Sequence, residues 1–321
     1  MWQVDQHMKI GYQMNFQQLR FVREAIRNNL NLTEVAAVLY TSQSGVSKQI
    51  KDLEDELGIE LFVRSGKRLT GLTRAGDGAV QIVGRILQET ENLRRYASQY
   101  AGVDSGRLVI AATHTQARYT LPRVVEEFNQ AFPKVKLELH QGAPRQIADM
   151  VTNGEADIGI ASEALNQASD VQAYSCFTWS HQVVVPIEHP LLRQAPVTLE
   201  QIAAYPLVTY NEQFTGRKCV DAAFSKAGLT PDLRLTAMDA DVIKTYVRRG
   251  LGVGIVAEMA LEDIQRDGLV VLPTQGELFG TCSTMLAVRK GVFLPSFAYR
   301  FIEMFAPGLQ LEPVTDERLP A

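Results

Sequence analysis

The sequence predicts an α/β chain built in two unlike parts. A small amino-terminal unit carries a winged helix-turn-helix and a linker helix, and a larger second part holds two α/β subdomains. Three observations predict this. Between residues 14 and 76, apolar residues recur at helical spacing in short runs broken by polar clusters, and a basic, glycine-containing stretch follows them. The helical period then resumes over residues 77 to 100. From Arg107 onward, short apolar runs alternate with amphipathic helical patterns, the order of a parallel sheet with crossover helices. At 321 residues the chain is longer than one core commonly organises.

The elements follow in order. "FQQLRFVREAIRNN" predicts a first helix buried through Phe16, Leu19, Phe21 and Val22. Asn31, three residues before Glu34, reads as a loose capping box opening a second helix with Val35, Ala36 and Leu39 on one side. After the break at Tyr40-Thr41-Ser42, Val46, Ile50, Leu53 and Leu57 form one buried stripe that Gly58 ends. "RSGKRLTGLTRAG" (64–76) reads as a two-stranded wing. In the linker helix, 77–101, Ile82, Ile86, Leu93 and Tyr100 lie along one seam, with Val83, Leu87 and Tyr96 beside it. Steps of seven there suit packing against a partner helix. "AGVDSG" (101–106) reads as a hinge by composition.

The second part, 102–321, begins with strand "RLVIAA" and a helix from Leu121 with Pro122 in its first turn and Val124, Val125, Phe128 and Phe132 inward. Strand, helix and strand follow in "KVKLELHQG", "PRQIADMVTNG" and "ADIGIAS". A crossing near "QVVVPIEHPL" leads to a second α/β set with helices "RKCVDAAFSKAG" and "DADVIKTYVRRG", and "TMLAVRK" and "PSFAYRFIEMF" return. Subdomain I then covers about 102–176 and 280–321, and subdomain II about 177–279. Such a pair encloses a cleft at the carboxyl ends of its parallel strands.

Composition bounds the function. Hydrophobic residues at 46% and charged residues at 21% are ordinary for a globular protein, and no run approaches the ~18 apolar residues of a membrane span. Residues 1–13 contain one lysine and no apolar core, so they read as an extension or tag remnant and not as a signal peptide. Cys176, Cys219 and Cys282 are odd in number and far apart, which argues against a disulfide framework and fits a reducing cytoplasm. Residues 14–101 carry 12 Lys and Arg against 10 Asp and Glu, whereas 102–321 carry 19 against 25. A basic unit joined to an acidic one implies two different partners.

The first partner is double-stranded DNA. The polar face of the third helix offers Ser44, Ser47, Lys48 and Lys51, with Ser42 and Gln43 at its amino end. A helix amino end favours phosphate, Ser and Gln reach base edges, and lysines attract the backbone. Arg64, Lys67, Arg68 and Arg74 add a basic wing with no acid. A solvated basic loop on a small bundle is the alternative for the wing taken alone. A single helix-turn-helix ordinarily works as a twin, so an oligomer is expected.

The second partner is read from "AATHTQARYTLP" (111–122). A strand end feeding a helix from near Leu121 puts backbone N–H groups and the positive helix end at 113–121, and Thr113, Thr115 and Gln116 supply hydroxyl and amide donors. That is a neutral cradle for a tetrahedral anion; a polar turn whose threonines cap the helix is the other reading. Side chains alternate along an extended segment, so His114 turns away from Thr113 and Thr115 and is not expected to act as base or metal ligand. Arg118 faces either the anion or a nearby acid.

The opening helices and "YTSQSGVSKQIKDLEDELGIELFVRSGKRLTGLTRAG" resemble the LysR-type transcriptional regulators, with Ser44 and Gly45 where the family usually has Pro and Ala. In the second part, "THTQARYTLP", "ASEAL", "YPLVTY", "FTGRK" and "DADVIKTYVRRGLGVG" resemble the CysB/Cbl subgroup of sulfur-assimilation regulators. The likeness covers about residues 14–309. It implies a periplasmic-binding-protein-like effector domain and a cytoplasmic homodimer or homotetramer on promoter DNA. It further implies control of sulfur assimilation and cysteine biosynthesis by sulfate, O-acetylserine or N-acetylserine. Carried over by position, the effector residues are Thr113, Thr115, Gln116, Ser162, Thr215 and, at the cleft wall, Trp179. The subgroup usually has threonine where this chain has Ser162. The chain stops at Ala321, sooner than the subgroup's longer members, so a regulator of alkanesulfonate or other small-acid metabolism stays open.

"GLGVGIVA" contains a formal G-x-G-x-x-A at Gly252, Gly254 and Ala257, but a helix precedes it and a strand follows, the reverse of a dinucleotide site. Without a GxSxG, a Walker loop, paired carboxylates or zinc-like spacing, no enzyme, cofactor or metal is expected. A solute-binding protein is the rival reading from another class, set behind by the amino-terminal DNA module.

Overall fold

The structure is a computed structural model describing residues 14–100, 105–162, 165–166, 168–214, 216–262, 264–266, 268–309 and 311. The extension at 1–13 and hinge residues 101–104 lie outside the described residues. The chain divides into two compact units, Met1–Ala97 and Ser98–Ala321.

In the first unit, α1 (Phe16–Arg27) opens on a capping box between Asn15 and Gln18 that satisfies an orphan N–H at each end of the pair. Leu19, Phe21 and Val22 are buried as expected, but Phe16 is exposed, because it sits in the first turn on the outer side. Asn31 caps α2 (Leu32–Val38) through the Thr33 N–H, in place of the reciprocal pair with Glu34. Ser42 caps α3 (Gln43–Leu57), where Val46, Ile50 and Leu53 are fully buried. Leu57, expected in the same stripe, is exposed in the last turn.

The wing is narrower than its basic residues suggested. Strands β1 (Phe62–Ser65) and β2 (Arg68–Leu72) pair antiparallel, while Arg74 already belongs to the linker helix α4 (Arg74–Tyr100). Glu54 fixes the wing to α3. Its buried Oε1 accepts the N–H groups of Leu61 at 2.8 Å and Phe62 at 3.1 Å, and Oε2 accepts Arg64 Nη2 at 2.7 Å. On α4 the expected seam separates into two faces. Val83 and Leu87 are buried in the core of this unit, whereas Ile82, Leu93 and Tyr96 are exposed along the neighbouring face.

In the second unit, nine described strands form one mixed sheet in the order β4-β3-β5-β11-β6-β9-β7-β8, with β10 also on β6. One lobe has β3 (Gly106–Ala112) parallel to β4 (Val135–Gln141) and β5 (Ile158–Ser162), covered on one face by α5 (Leu121–Ala131) and α10 (Ser296–Phe305) and on the other by α6 (Pro144–Thr152). Phe128 of α5 and Phe301 of α10, both fully buried, meet edge to face with centroids 5.4 Å apart. The other lobe has β7 (Leu207–Tyr210) parallel to β8 (Leu233–Ala237) and β9 (Val253–Ala257), between α7 (Leu199–Ala203) with α8 (Arg217–Lys226) and, opposite, α9 (Ala240–Arg248). The crossing begins before "QVVVPIEHPL" and runs into it. It is the 16-residue strand β6 (Val171–Pro186), beside which β11 (Thr281–Arg289) returns antiparallel; β10 is Leu269–Val271.

The glycines of "GLGVGIVA" serve the packing of β9. A Cβ on Gly252 would stand 2.2 Å from the Pro206 carbonyl oxygen, and one on Gly254 would stand 2.6 Å from Val184. The strand enters the sheet so closely that neither position has room for a side chain. Helix α9 precedes it and a strand follows, so no phosphate-binding turn is formed.

Glu54→Ala strands two buried N–H groups together with a guanidinium. Loss of about 2–4 kcal/mol from the first unit is expected in urea unfolding, against less than about 0.5 kcal/mol for the exposed Asp55→Ala.

Candidate functional site

Two surfaces carry the residues singled out by sequence, one in each unit. In the first, Ser42, Gln43, Ser44, Lys48 and Lys51 are exposed on α3 and Ser47 is half-buried; Lys67 and Arg68 are exposed on the wing. Ser42 Oγ accepts the Gly45 N–H at 3.1 Å and lies 3.1 Å from Ser44 Oγ, so it serves as a cap before it meets any ligand. A Cβ on Gly45 would stand 3.1 Å from both the Ser42 and Thr41 hydroxyls, a tight fit that glycine relieves. Arg64 differs from its neighbours because its guanidinium is held by Glu54.

In the second unit, a cavity opens where the parallel strands end. Thr113 follows β3, Ser162 ends β5, Tyr210 ends β7 and Met238 follows β8. The lining also includes Thr115, Gln116, Ala161, Trp179, Phe214, Ser283 and Thr284. Five of the six expected effector residues, Thr113, Thr115, Gln116, Ser162 and Trp179, therefore share one cavity; Thr215 lies outside the described residues. About 20 Å³ is open to the centre of a water molecule, room for a compact polar occupant.

The helix that meets this cavity starts at His114 and not at Leu121. Residues 114–115 are helical, Gln116–Thr120 form a π-helical segment, and α5 continues from Leu121. Thr113 O accepts the Ala117 N–H at 2.9 Å, so the amino end of the whole helix lies at Thr113. The helix runs on through Pro122. Inside a helix a proline removes one i→i−4 bond and crowds the carbonyl before it, and the wider π turn lies where that strain falls. The alternation expected for an extended segment consequently does not apply to His114. It is absent from the cavity lining, and its ligand nitrogen lies within 4.8 Å of carboxylate atoms of Asp239 and Asp241. Those acids are engaged already. Asp239 caps α9 through the Val242 N–H, and Asp241 accepts the Tyr119 hydroxyl at 2.6 Å and Lys244 at 3.2 Å. Burial alone would raise the Asp241 carboxyl, but Tyr119, Lys244 and Arg118 together hold it below its usual range. Arg118 thus faces an acid, at 3.4 Å, and ties the first lobe to α9 of the second.

Inside the cavity the described lining contains no lysine, arginine or carboxylate. Gln116 Nε2 donates to Thr284 Oγ1 at 2.8 Å, whereas its buried Oε1 has no partner among the described residues. Buried Trp179 Nε1 likewise has no acceptor among them. Tyr210 is hydrogen-bonded to Thr115, its hydroxyl oxygen accepts the Ala257 N–H at 3.1 Å, and burial pushes it up to about 12. Behind Trp179, with centroids 5.0 Å apart, His181 is buried and neither ring nitrogen has a partner among the described residues. Burial lowers it to about 4, so the ring is neutral at neutral pH. Gly216 permits this arrangement, since a Cβ there would stand 2.2 Å from the His181 ring.

Sequence reasoning missed Tyr210, Phe214, Met238, Ser283 and Thr284. Tyr210 was within reach, because it ends a parallel strand as Ser162 does; Thr284 was not, because its place depends on the return of β11. The sequence also set the cysteines apart, whereas the fold brings Cys219 and Cys282 into contact, with sulfurs 3.1 Å apart.

Comparisons with known proteins bear on both surfaces. Residues 16–77 match the model of the bacterial regulatory helix-turn-helix protein, lysR family, and residues 101–310 match the LysR substrate binding domain. The chain is 60% identical over 296 residues to the HTH-type transcriptional regulator SsuR of Burkholderia cenocepacia, covering 92% of this chain and 96% of that one. It is 52% identical over 296 residues to the regulator CysB of the same organism, covering 92% and 94%. The cofactor-binding domain of the Cbl transcriptional regulator superposes with a TM-score of 0.62 at 47% identity, covering 64% of this chain and 90% of that structure.

His181 makes stability depend on pH. The unfolded ring binds a proton near its ordinary 6.5, while the folded ring does so only near 4. The unfolded state therefore holds the extra proton between those values. Stability is full above pH 6.5, falls as pH drops toward 4, and loses at most about 3 kcal/mol from this group. Urea midpoints of His181→Phe are expected to show a shallower fall over that window than those of the parent chain.

Proposed function

The chain belongs to the LysR family of bacterial helix-turn-helix transcriptional regulators, and on that premise we propose that it binds promoter DNA as a homo-oligomer whose activity follows a sulfur oxyanion held in the effector cavity. The observation that carries the effector reading is the uncharged cradle. The hydroxyls of Thr113, Thr115 and Ser162 share the cavity with Trp179, whose buried Nε1 has no acceptor among the described residues, beside the amino end of one helix and with no lysine or arginine in the described lining. Neutral donors and a helix end suit a small tetrahedral anion, since hydrogen bonds to an ionised acceptor are roughly twice as strong as those between neutral groups.

The cavity also has an apolar side, formed by Ala161, Phe214 and Met238 with the Trp179 and Tyr210 rings. An alkanesulfonate offers an anionic head for the donors and an apolar chain for that side, which inorganic sulfate lacks. Ser162 lacks the methyl of the subgroup's usual threonine, which leaves room on the same wall. Alkanesulfonate metabolism is therefore the reading favoured over cysteine biosynthesis, with sulfate or an acetylserine as the second.

On DNA, Gln43, Ser44 and Ser47 of α3 are assigned to base edges, and Lys48, Lys51, Lys67 and Arg68 to phosphates. Arg64 is a positioning residue for the wing through Glu54. The exposed face of α4, through Ile82, Leu93 and Tyr96, is assigned to a partner copy. Effector binding shifts the balance between two arrangements of the oligomer by no more than its preference for one of them.

Thermal unfolding with sulfate, O-acetylserine, N-acetylserine and short alkanesulfonates tests the cavity. A true effector at ~100 times its dissociation constant stabilises by about 2.7 kcal/mol, and Thr115→Ala is expected to abolish most of that. Stabilisation that survives in Thr115→Ala places the ligand elsewhere. For DNA, the slope of log affinity against log salt is expected to fall by about one for each phosphate contact removed, as in Lys48→Ala or Lys67→Ala. An unchanged slope removes that residue from the interface.

A further inference from the structure

Cys219 and Cys282 are 63 positions apart in the chain, yet their sulfurs lie 3.1 Å apart. Cys282 is fully buried on β11, opposite Trp179 of β6. Cys219 is half-buried in the first turn of α8. Both pack in one small cluster with Trp179, Ala257, Phe177 and Met259. We propose that these two cysteines form a dithiol modification site, which low-molecular-weight disulfides close to a reversible intramolecular disulfide that ties α8 to β11 at the wall of the cavity.

A disulfide holds its sulfurs at about 2.05 Å. From 3.1 Å, closure needs a movement of about 1 Å, within what side-chain torsions supply. Burial divides the labour between the two residues. Cys282 has no exposed surface and cannot meet an oxidant from solution, so Cys219 takes the first step. Its thiolate attacks one sulfur of a small disulfide RSSR; a mixed disulfide forms at Cys219 and one RS⁻ leaves. Cys282 then gives up its proton and attacks Cys219 Sγ, and the second RS⁻ leaves. The protein loses two electrons and two protons, and RSSR becomes two RSH. Cys176, the third thiol, donates to the Tyr174 carbonyl within its own strand, and burial pushes it up to about 11. It is not expected to take part.

The location gives the bond a consequence. Cys282 directly precedes Ser283 and Thr284, both in the cavity lining. Cys219 follows by three residues Gly216, where a Cβ would come within 3.1 Å of Trp179. The cross-link would fix the first turn of α8 against the strand that carries part of the cavity wall. None of this depends on which effector the cavity holds.

The test uses the full chain, reduced, freed of reductant and incubated with oxidised glutathione. Denaturing mass spectrometry is expected to show loss of about 2 Da, one hydrogen from each of two thiols. A tryptic map should link CVDAAFSK, which holds Cys219, to the peptide with Cys282, with Cys176 still alkylated. Cys282→Ser should stop at one glutathione on Cys219, and Cys219→Ser should take up none at Cys282. The oxidised parent should melt at least about 3 °C above the reduced one. Retention of both thiols, glutathione left unresolved on Cys219 of the parent, a link through Cys176, or a lower melting temperature on oxidation would each overturn the proposal.

Discussion

The second unit depends on the pairing of β6 with β11. One strand carries the chain out of the first lobe and the other brings it back, and they run antiparallel from Ser180↔Thr281 to Val171↔Arg289. Strand β11 also pairs with β5 in the first lobe, while β6 pairs with β9 in the second. Both halves of the cavity are therefore built on one hydrogen-bonded ladder. A register change of one residue would turn every side chain of either strand to the opposite face. The irregularity between Thr284 and Met285 falls within this ladder beside the cavity, where bulges commonly re-aim a side chain. There Thr284 receives the amide of Gln116 from 168 positions away.

The two units use charge in opposite ways. In the first, Glu54 is spent inside, fixing backbone and Arg64, while Lys48, Lys51, Lys67 and Arg68 stand exposed on the outside. In the second, Asp241, Arg118 and Lys244 gather their charges outside the cavity lining, with the Tyr119 hydroxyl donating to Asp241, in a cluster that joins the lobes. What remains in the cavity is dipoles, hydroxyls and ring edges. Such a site selects by geometry and by the match of donors to acceptors, because an imperfect fit leaves buried polar groups unsatisfied.

The sequence was most legible where one period repeats within one element. Val46, Ile50 and Leu53 announced a helix face because three and four residues bring the chain round to the same side. The period says nothing about where a face ends, so it draws Phe16 and Leu57 into the core although they sit in terminal turns beyond it. Five cavity residues came from position-by-position resemblance, and their chemistry was readable as a donor-rich turn. Pro122 reads as a first-turn proline and so points to a start near Leu121, whereas a helix running through it by way of a π turn leaves no mark in composition. Partnerships across the sheet, such as Gln116 with Thr284 or Cys219 with Cys282, depend on strand register, and spacing along the chain carries no trace of that.

The π-helical segment Gln116–Thr120 accommodates one residue more than an α-turn of the same span. It separates two facing requirements of a single helix: Thr113, Thr115 and Gln116 turn toward the cavity, while Leu121, Val124 and Phe128 hold the core. In an unbroken α-helix each residue advances the azimuth by about 100°. Deleting one residue from this segment would therefore rotate the polar end out of alignment with a core left untouched. The protein would fold with its donors aimed at the wrong wall.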